Sequence, residues 1–379
     1  MKVAILYCCF FDYDGVKQKI GGIETYIANL AKLVAEMGME PIIYQYANQK
    51  FKKEINGVLV KGIPLLKINP KKRAKALFDY VSRMIDIEKD IVVFGTDAQS
   101  VKTKSKRTIS IQHGIAWDLP TKYLTGYKLF HSGLFGKIYK TIVRRRFKNL
   151  YQRSYHRVCV DYNFLNWYRT YIVSKVEGKN WVIPNFCRIA NREQIEKKEY
   201  QNSKIIKVIF ARRFCEYRGT RLIAETAKHL LAKYNNLEFT FAGEGPDEMW
   251  LRNYFLGESR AAFIKYYPDD VVAIHLKHHI AIIPSIASEG TSLAVAEAMG
   301  AGCAVIATNI GGITNMIIDG YNGLLVTPEI KELTEALQKL LNNPVLIQKM
   351  GMRAYQVAVD SFTIDRWKAE WREVINAVK

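Results

Sequence analysis

PSIASEGTSLAVAEAMGAG, residues Pro284 to Gly302, decides how the rest of the chain is read. Just before it, Ile280-Ala281-Ile282-Ile283 is a short apolar run stopped by Pro284-Ser285, the pattern of a buried strand ending in a turn. Leu293 to Met299 has strong helix-forming composition, and Ser288 suits the N-cap. Strand, turn and helix therefore follow one another. Gly290 lets a ligand approach the backbone closely. The amides of Gly290, Thr291 and Ser292 would point out of the helix start, where an anion such as a diphosphate is favoured, and Leu293 belongs to the same ligand-binding turn. Glu289 stands at the mouth. Glu297 follows after seven intervening residues, about two turns along and on nearly the same face. Both carboxylates are hydrogen-bond acceptors suited to sugar or ribose hydroxyls.

Working outward, the second half of the chain repeats this grammar. Ile205 to Phe210 is an apolar strand followed by Arg212, Arg213 and Arg218-Gly219, and then by a helical pattern at Leu222, Ile223, Thr226, Ala227 and Leu230. Cations at the carboxyl end of a strand, beside a helix start, suit a diphosphate. Phe239 to Ala242 runs into a tight Gly243-Glu244-Gly245-Pro246 turn, and Ala304 to Thr308 and Leu324 to Val326 are further strands. Closing helices are expected at about Glu329–Leu341 and Arg366–Val378, the latter with an apolar stripe of Trp367, Trp371, Val374 and Ile375.

The first half also alternates. Strands are expected at Val3–Leu6, Pro41–Tyr44, Val58–Val60, Ile91–Phe94, Thr108–Ile111 and Val158–Asp161, with helical segments between several of them, which argues α/β with a parallel sheet. Gly21-Gly22 opens a helix after the first strand and loop, and its amides could cradle a phosphate. Gln112-His113-Gly114 follows a strand at its carboxyl end, where ligands of open α/β sheets bind. Arg188 to Lys204 is polar without apolar period and reads as a linker or surface excursion.

These motifs together resemble the family-4 glycosyltransferases, retaining enzymes of GT-B fold. The resemblance rests on E-G-x(6)-E at Glu289 and Glu297, A-M-G-A-G-C-A-V-I-A-T after it, G-G-x-E at Gly21, R-x(4)-R-G at Arg213 and V-I-P-N at Val182. It implies two doubly wound Rossmann-like domains facing a cleft. Residues 1–185 would be the acceptor domain and 186–360 the nucleotide-sugar domain, with a helix over 361–379 packing back on the first. It also implies roles. Glu289 and His113 would hold the donor sugar and Glu297 the ribose. Arg213 and Arg218 would neutralise the leaving diphosphate, helped by the backbone at Gly21, Gly22 and Gly290. Gly243 would lie beside the nucleoside, with Tyr266 or Tyr267 flanking the base. Arg218 stands where the family has Lys, Arg212 where it has Gly, and Asn315 where an acid is usual. The resemblance implies hexosyl transfer from a nucleotide diphosphate sugar to an acceptor hydroxyl, with retention, by same-face attack assisted by the leaving phosphate. No metal and no cofactor are implied, so Asp12-Tyr13-Asp14 is not read as a metal motif.

At 379 residues the chain can form two domains with separate cores. No uninterrupted apolar run of about 18 residues occurs, and the apolar start at Met1 passes at once into Asp12 and Asp14, so a first strand is expected rather than a leader or a membrane span. The six cysteines lack metal-ligand spacing and suit a reducing cytoplasm. The net charge of +20 is concentrated in part at Lys128–Arg157, where Arg144, Arg145, Arg146, Lys148 and Arg153 interleave with apolar and aromatic residues. Such a stretch can lie on an anionic bilayer, which would place the protein at the inner face of the plasma membrane with a saccharide or lipid-linked acceptor, in bacterial surface-polysaccharide or glycolipid assembly. The alternative for that stretch is a helix with solvated arginines. Two rival functions are a nicotinamide-dependent dehydrogenase, which needs a G-x-G-x-x-G that the Gly-Gly-Ile-Glu start lacks, and a nucleic-acid-binding protein, supported only by the basic run.

Overall fold

The computed structural model describes residues 1–19, 21–115, 133–172, 176–198, 204–287 and 289–379. Ser288, the expected helix cap, and residues 128–132 of the basic stretch lie outside them. The chain divides into two compact units. One holds Met1–His113, the described part of Tyr127–Ile183, and Trp367–Lys379; the other holds Pro184–Arg366 with Gly114 and Ile115.

The first unit is built on eight strands: β1 (Lys2–Leu6), β2 (Glu40–Ala47), β3 (Phe51–Ile55), β4 (Val58–Pro64), β5 (Ile91–Phe94), β6 (Thr108–Gln112), β7 (His156–Cys159) and β8 (Lys179–Val182). Their order is β3-β4-β2-β1-β5-β6-β7-β8. All neighbours are parallel except β3 and β4. Central strands of a parallel sheet are covered on both faces, which is why β1 and β5 read as unbroken apolar runs. The antiparallel β3 is an element the strand expectations omit. Its signal is the Asn56-Gly57 turn, with φ of 49° and 77°, the left-handed pair a two-residue hairpin requires. Its sequence, Phe51-Lys52-Lys53-Glu54-Ile55, is polar because it is an edge strand. β7 begins two residues earlier than the apolar run suggests, because Arg157 is buried: Nε bonds the Asn180 side-chain oxygen and Nη2 the Glu177 carbonyl, each at 3.0 Å.

The C-terminal helix Ile364–Val378 buries Trp367, Trp371, Val374, Ile375 and Val378. Trp371 Nε1 donates to the Tyr26 hydroxyl at 2.8 Å, and Trp367 meets the same ring edge-on at 5.0 Å. Tyr26 sits on the helix Gly22–Glu36, so the last helix of the chain is fastened to the first.

The second unit has β9 (Ile206–Ala211), β10 (Leu237–Ala242), β11 (Ala261–Ile264), β12 (Ile280–Ile283), β13 (Ala304–Thr308) and β14 (Leu324–Val326), in the order β11-β10-β9-β12-β13-β14, all parallel. Side chains alternate between two cores. Val208 and Phe210 join Phe239, Phe241, Ile223 and Leu337 on one face; Ile209 and Ala211 join Ala281, Val305, Val295 and Met299 on the other. From β9 the chain builds outward through β10 and β11. It then returns to β12 on the opposite side of β9 and builds the other way. A crevice opens at such a reversal, between the carboxyl ends of β9 and β12.

Two segments differ from expectation. Within 188–204 the described residues form a short helix, Arg192–Glu196, whose Ile195 is buried with Ala190 and Tyr355, and Lys198 donates to the Ala301 carbonyl at 2.9 Å. That stretch is packed onto the second unit; a single anchoring isoleucine is too little for a periodic signal. A long helix, Pro344–Ser361, also stands between the two expected closing helices. Asn343 caps it through Leu346 N at 3.1 Å and Pro344 opens it, with Ile347, Met350, Ala354 and Ala358 along its buried side.

Replacing Trp371 with alanine empties a fully buried site and removes the Nε1 donor from the Tyr26 hydroxyl. We expect a loss of about 3–5 kcal/mol in unfolding free energy, measured by urea denaturation.

Candidate active site

The reversal point of the second sheet gathers the charged residues. Arg212 follows β9 directly, and its amide continues the β-ladder to the Ala242 carbonyl at 2.9 Å. Its Nη2 lies 2.7 Å from Glu289 Oε1, and its Nη1 donates to Ser285 Oγ at 2.6 Å. Arg218 and the Ser285 hydroxyl also donate to Glu289 Oε1. One carboxylate oxygen thus carries two guanidinium groups and a hydroxyl. Arg212 and Glu289 are nearly closed off, with side chains 8% and 6% exposed. Two cations and one anion leave a net positive charge in a buried crevice.

Local backbone chemistry fixes these positions. Arg218 ends a 3-10 turn, Glu216–Arg218, that stops at Gly219 with φ of 80°. A Cβ there would stand 1.8 Å from the Pro284 carbonyl oxygen, so only glycine lets the loop after β9 lie against the loop after β12. Gly243 is similar: with φ of 142°, its Cβ would fall 2.2 Å from the Arg212 carbonyl oxygen. Gly312 N bonds the Glu289 carbonyl at 3.0 Å, and Thr308 Oγ1 bonds that of Ser285 at 2.5 Å.

Of the adjacent pair, Arg212 therefore stands beside Glu289, while the Arg213 side chain is exposed. Adjacent residues in extended chain point to opposite sides, so only one of the pair can face the crevice. The alternation was available in the sequence; the side was not. The helix after the turn spans Leu293–Gly300, later than the Ser288 cap implies, with Ser292 as N-cap. Glu289 is thus in the loop ahead of the helix, while Glu297 is in its second turn. Ser292 N meets Met316 Sδ at 3.2 Å, so the helical amides without an i−4 partner in their own helix begin at Leu293. Thr291 is tied to Asn185, its Oγ1 accepting from Asn185 N at 2.9 Å and its carbonyl from Asn185 Nδ2 at 2.5 Å. Asn185 is a partner the sequence reading did not connect to this turn. Gly290 lies between Glu289 and Thr291 in the same loop.

The two acids have opposite environments. Burial alone would raise Glu289, but the Arg212 and Arg218 guanidinium groups and the Ser285 hydroxyl outweigh it and hold it below the usual carboxylate range. Glu297 is pushed up to about 7 by burial, which the more distant Arg212 offsets only in part. Tyr266 is half-buried within electrostatic reach of Glu297 and Arg212, while Tyr267 is exposed.

In the first unit, Gly21 is the N-cap and Gly22 the first residue of the helix Gly22–Glu36, and Glu24 in its first turn accepts from the Tyr7 hydroxyl at 2.7 Å. His113, just past β6, donates from Nε2 to the Gly95 carbonyl at 2.9 Å, which leaves Nδ1 as the acceptor. Its ring meets Tyr26 edge-on at 5.3 Å. Burial lowers it to about 4, so it is neutral at physiological pH.

The family model of the glycosyl transferases group 1 matches residues 191–357. Over that stretch the chain is similar to the group 1 glycosyltransferases. Arg212, Arg218, Glu289 and Glu297 all lie in the matched stretch. An uncharacterized glycosyltransferase of Methanocaldococcus jannaschii is 23% identical over 88% of this chain and 88% of its own. A human phosphatidylinositol N-acetylglucosaminyltransferase polypeptide is 23% identical over 85% of this chain and 66% of its own. Anabaena HepE, solved in complex with UDP and glucose, superposes with a TM-score of 0.72 at 16% identity over all of both chains. The chain has the GT-B fold, its two α/β units being those described above.

Glu297 supplies a pH test. A carboxyl whose pKa is raised on folding binds its proton more tightly in the folded state, so its contribution is favourable at low pH and is lost as pH rises from about 4.5 to 7. Relative to the parent protein, Glu297→Gln should gain stability from pH 5 to pH 8, by about 2 kcal/mol after allowing for its residual exposure, read as the difference in urea midpoints at the two pH values.

Proposed function

We propose that this protein is a glycosyltransferase that moves a hexosyl unit from a nucleotide diphosphate sugar to an acceptor hydroxyl with retention of configuration and without a metal ion. The observation that carries this reading is the buried cluster of Arg212, Arg218 and Glu289 at the reversal point of the second sheet. Its net positive charge suits a departing diphosphate. Arg212 Nε has no hydrogen-bond partner among the described residues, leaving a buried cationic donor to be satisfied by an anion. We assign diphosphate stabilisation to Arg212 and Arg218, aided by the helix start at Leu293; this is electrostatic work done by groups already in place. Glu289 orients both guanidinium groups and addresses the sugar, and Glu297 takes the ribose hydroxyls. Neutral His113, with Nδ1 as acceptor, takes a sugar or acceptor hydroxyl proton into a hydrogen bond. HepE, solved with UDP and glucose, supports a nucleotide sugar as donor.

The acceptor is proposed to be saccharide or lipid-linked, with the enzyme on the inner face of a membrane. No described helix is long and apolar enough to span a bilayer. The helix Gly133–Tyr151, however, exposes Leu134, Phe135, Ile138 and Ile142 by 48% to 71%. At about 3.6 residues per turn these four share one face, and the buried Val143 and Leu150 lie on the adjoining face. Arg145 shares that face, and exposed Arg144 and Arg146 flank it. An apolar stripe rimmed by cations suits an anionic bilayer. The name of the human relative, which contains phosphatidylinositol, supports a lipid acceptor.

Turnover should be measured across a panel of nucleotide sugars, with the product anomer read by NMR and a chelator present. Retention and undiminished rate are expected; an inverted product or loss of rate overturns those parts. Arg212→Ala should lower kcat by about 100- to 1,000-fold, and Arg213→Ala by only a few-fold. Equal losses would refute the assignment to Arg212. Replacing Arg144, Arg145 and Arg146 with glutamine should abolish sedimentation with phosphatidylglycerol vesicles and leave turnover on a soluble acceptor intact.

A further inference from the structure

Four cysteines, Cys159, Cys187, Cys215 and Cys303, are buried. Cys8 and Cys9, just past β1, are half-buried and stand side by side. Neighbours on a strand point to opposite faces, but here the chain bends at Cys8 and brings the two Sγ atoms to 3.3 Å. The following loop folds back on itself. Asp12 N bonds the Lys17 carbonyl at 2.8 Å, Lys19 N bonds that of Phe10 at 3.0 Å, and Phe11 bridges Gln18. This return delivers the Lys19 ammonium to Cys9. The Cys8 thiol is raised by its hydrogen bond to Cys9 and by burial. Cys9 is lowered to about 6 by the hydrogen bond from Cys8 and, against burial, by Lys19. The pair sets a thiol shifted towards ionisation in contact with one shifted away from it, the arrangement of an attacking and a resolving cysteine.

We propose that Cys8 and Cys9 are a vicinal dithiol that hydrogen peroxide oxidises reversibly to a disulfide. The Cys9 sulfur attacks one peroxide oxygen; the S–O bond forms, the O–O bond breaks, and the departing oxygen takes a proton and leaves as water. The Cys8 sulfur then attacks the Cys9 sulfenic acid; the S–S bond forms, the S–O bond breaks, and the hydroxyl leaves with the Cys8 proton as a second water. Two thiols lose two electrons and two protons in all, and the peroxide is reduced to two waters. Adjacent Cα atoms are about 3.8 Å apart across a trans peptide, closer than the usual separation of about 4.4 Å or more for bridged cysteines. The ring is therefore strained and readily reduced, as suits a labile rather than a structural disulfide.

Closing the ring turns the backbone at Cys8, whose carbonyl accepts from Tyr46 N at 3.3 Å, and beside Tyr7, which holds Glu24. Oxidation therefore disturbs the start of the helix that carries Gly22. Only this consequence for turnover rests on the functional reading above.

The full-length chain treated with hydrogen peroxide should lose two hydrogens in intact mass, mapped to the peptide holding Cys8 and Cys9 and restored by dithiothreitol. Limited iodoacetamide before oxidation should label Cys9 ahead of Cys8. Cys9→Ser should abolish the loss, and Cys8→Ser should leave a Cys9 sulfenic acid that dimedone traps. No loss of hydrogens, oxidation mapped to the four buried cysteines, or Cys8 labelled first would overturn the proposal. The first two measurements use the unaltered chain, so they stand even if a variant misfolds. Mass and labelling are read without sugar transfer, so a chain that oxidises as described yet transfers no sugar would count against the functional reading alone.

Discussion

A buried carboxylate shared by two guanidinium groups organises the second unit. Removing three charges from water is costly, and only close pairing with further hydrogen bonds offsets that cost. Glu289 meets the requirement through Arg212, Arg218 and Ser285, which come from the loops after β9 and β12. Both loops must therefore lie in contact, and glycine at 219 is the residue that allows it. The position of the cluster follows from topology, since β9 and β12 are neighbours whose onward connections run in opposite directions.

The same cluster separates the two acids of the signature by charge state. Glu289 is kept ionised by the cations it touches, whereas Glu297, buried without such a contact, is driven towards the neutral form. Two carboxyl groups given different proton affinities by their surroundings can act differently without any difference in side-chain chemistry. One can orient cations while the other can donate or accept towards a hydroxyl. His113 in the first unit is fixed in the same manner. Its Nε2 hydrogen is committed to Gly95, burial keeps the ring neutral, and Tyr26 packs against it. Tyr26 is in turn locked by Trp367 and Trp371, so the last helix sets the surroundings of a residue in the first third of the chain.

Much of this was legible before any coordinates. The unbroken apolar strands, the helix at Leu293 and the stripe Trp367, Trp371, Val374 and Ile375 announce themselves because burial on a regular element leaves a periodic trace. The loops after β9 and β12 stood out for a related reason: they set charges and glycines at the carboxyl ends of strands, where open α/β sheets bind ligands. The edge strand β3, the helix Arg192–Glu196 and the buried Arg157 left weaker traces, because each is held by a few polar or single apolar contacts rather than by a repeating face.

The sequence alone determined the fold class, the family resemblance and the identity of the two acids, since these depend on local pattern and spacing. The tertiary structure decided which of Arg212 and Arg213 turns inward, that both cations converge on one oxygen of Glu289, and that Cys8 and Cys9 touch. Each of these is a matter of direction. Side-chain direction in a loop is set by the non-local surfaces that the loop meets, and a one-residue shift in where a strand ends reverses it.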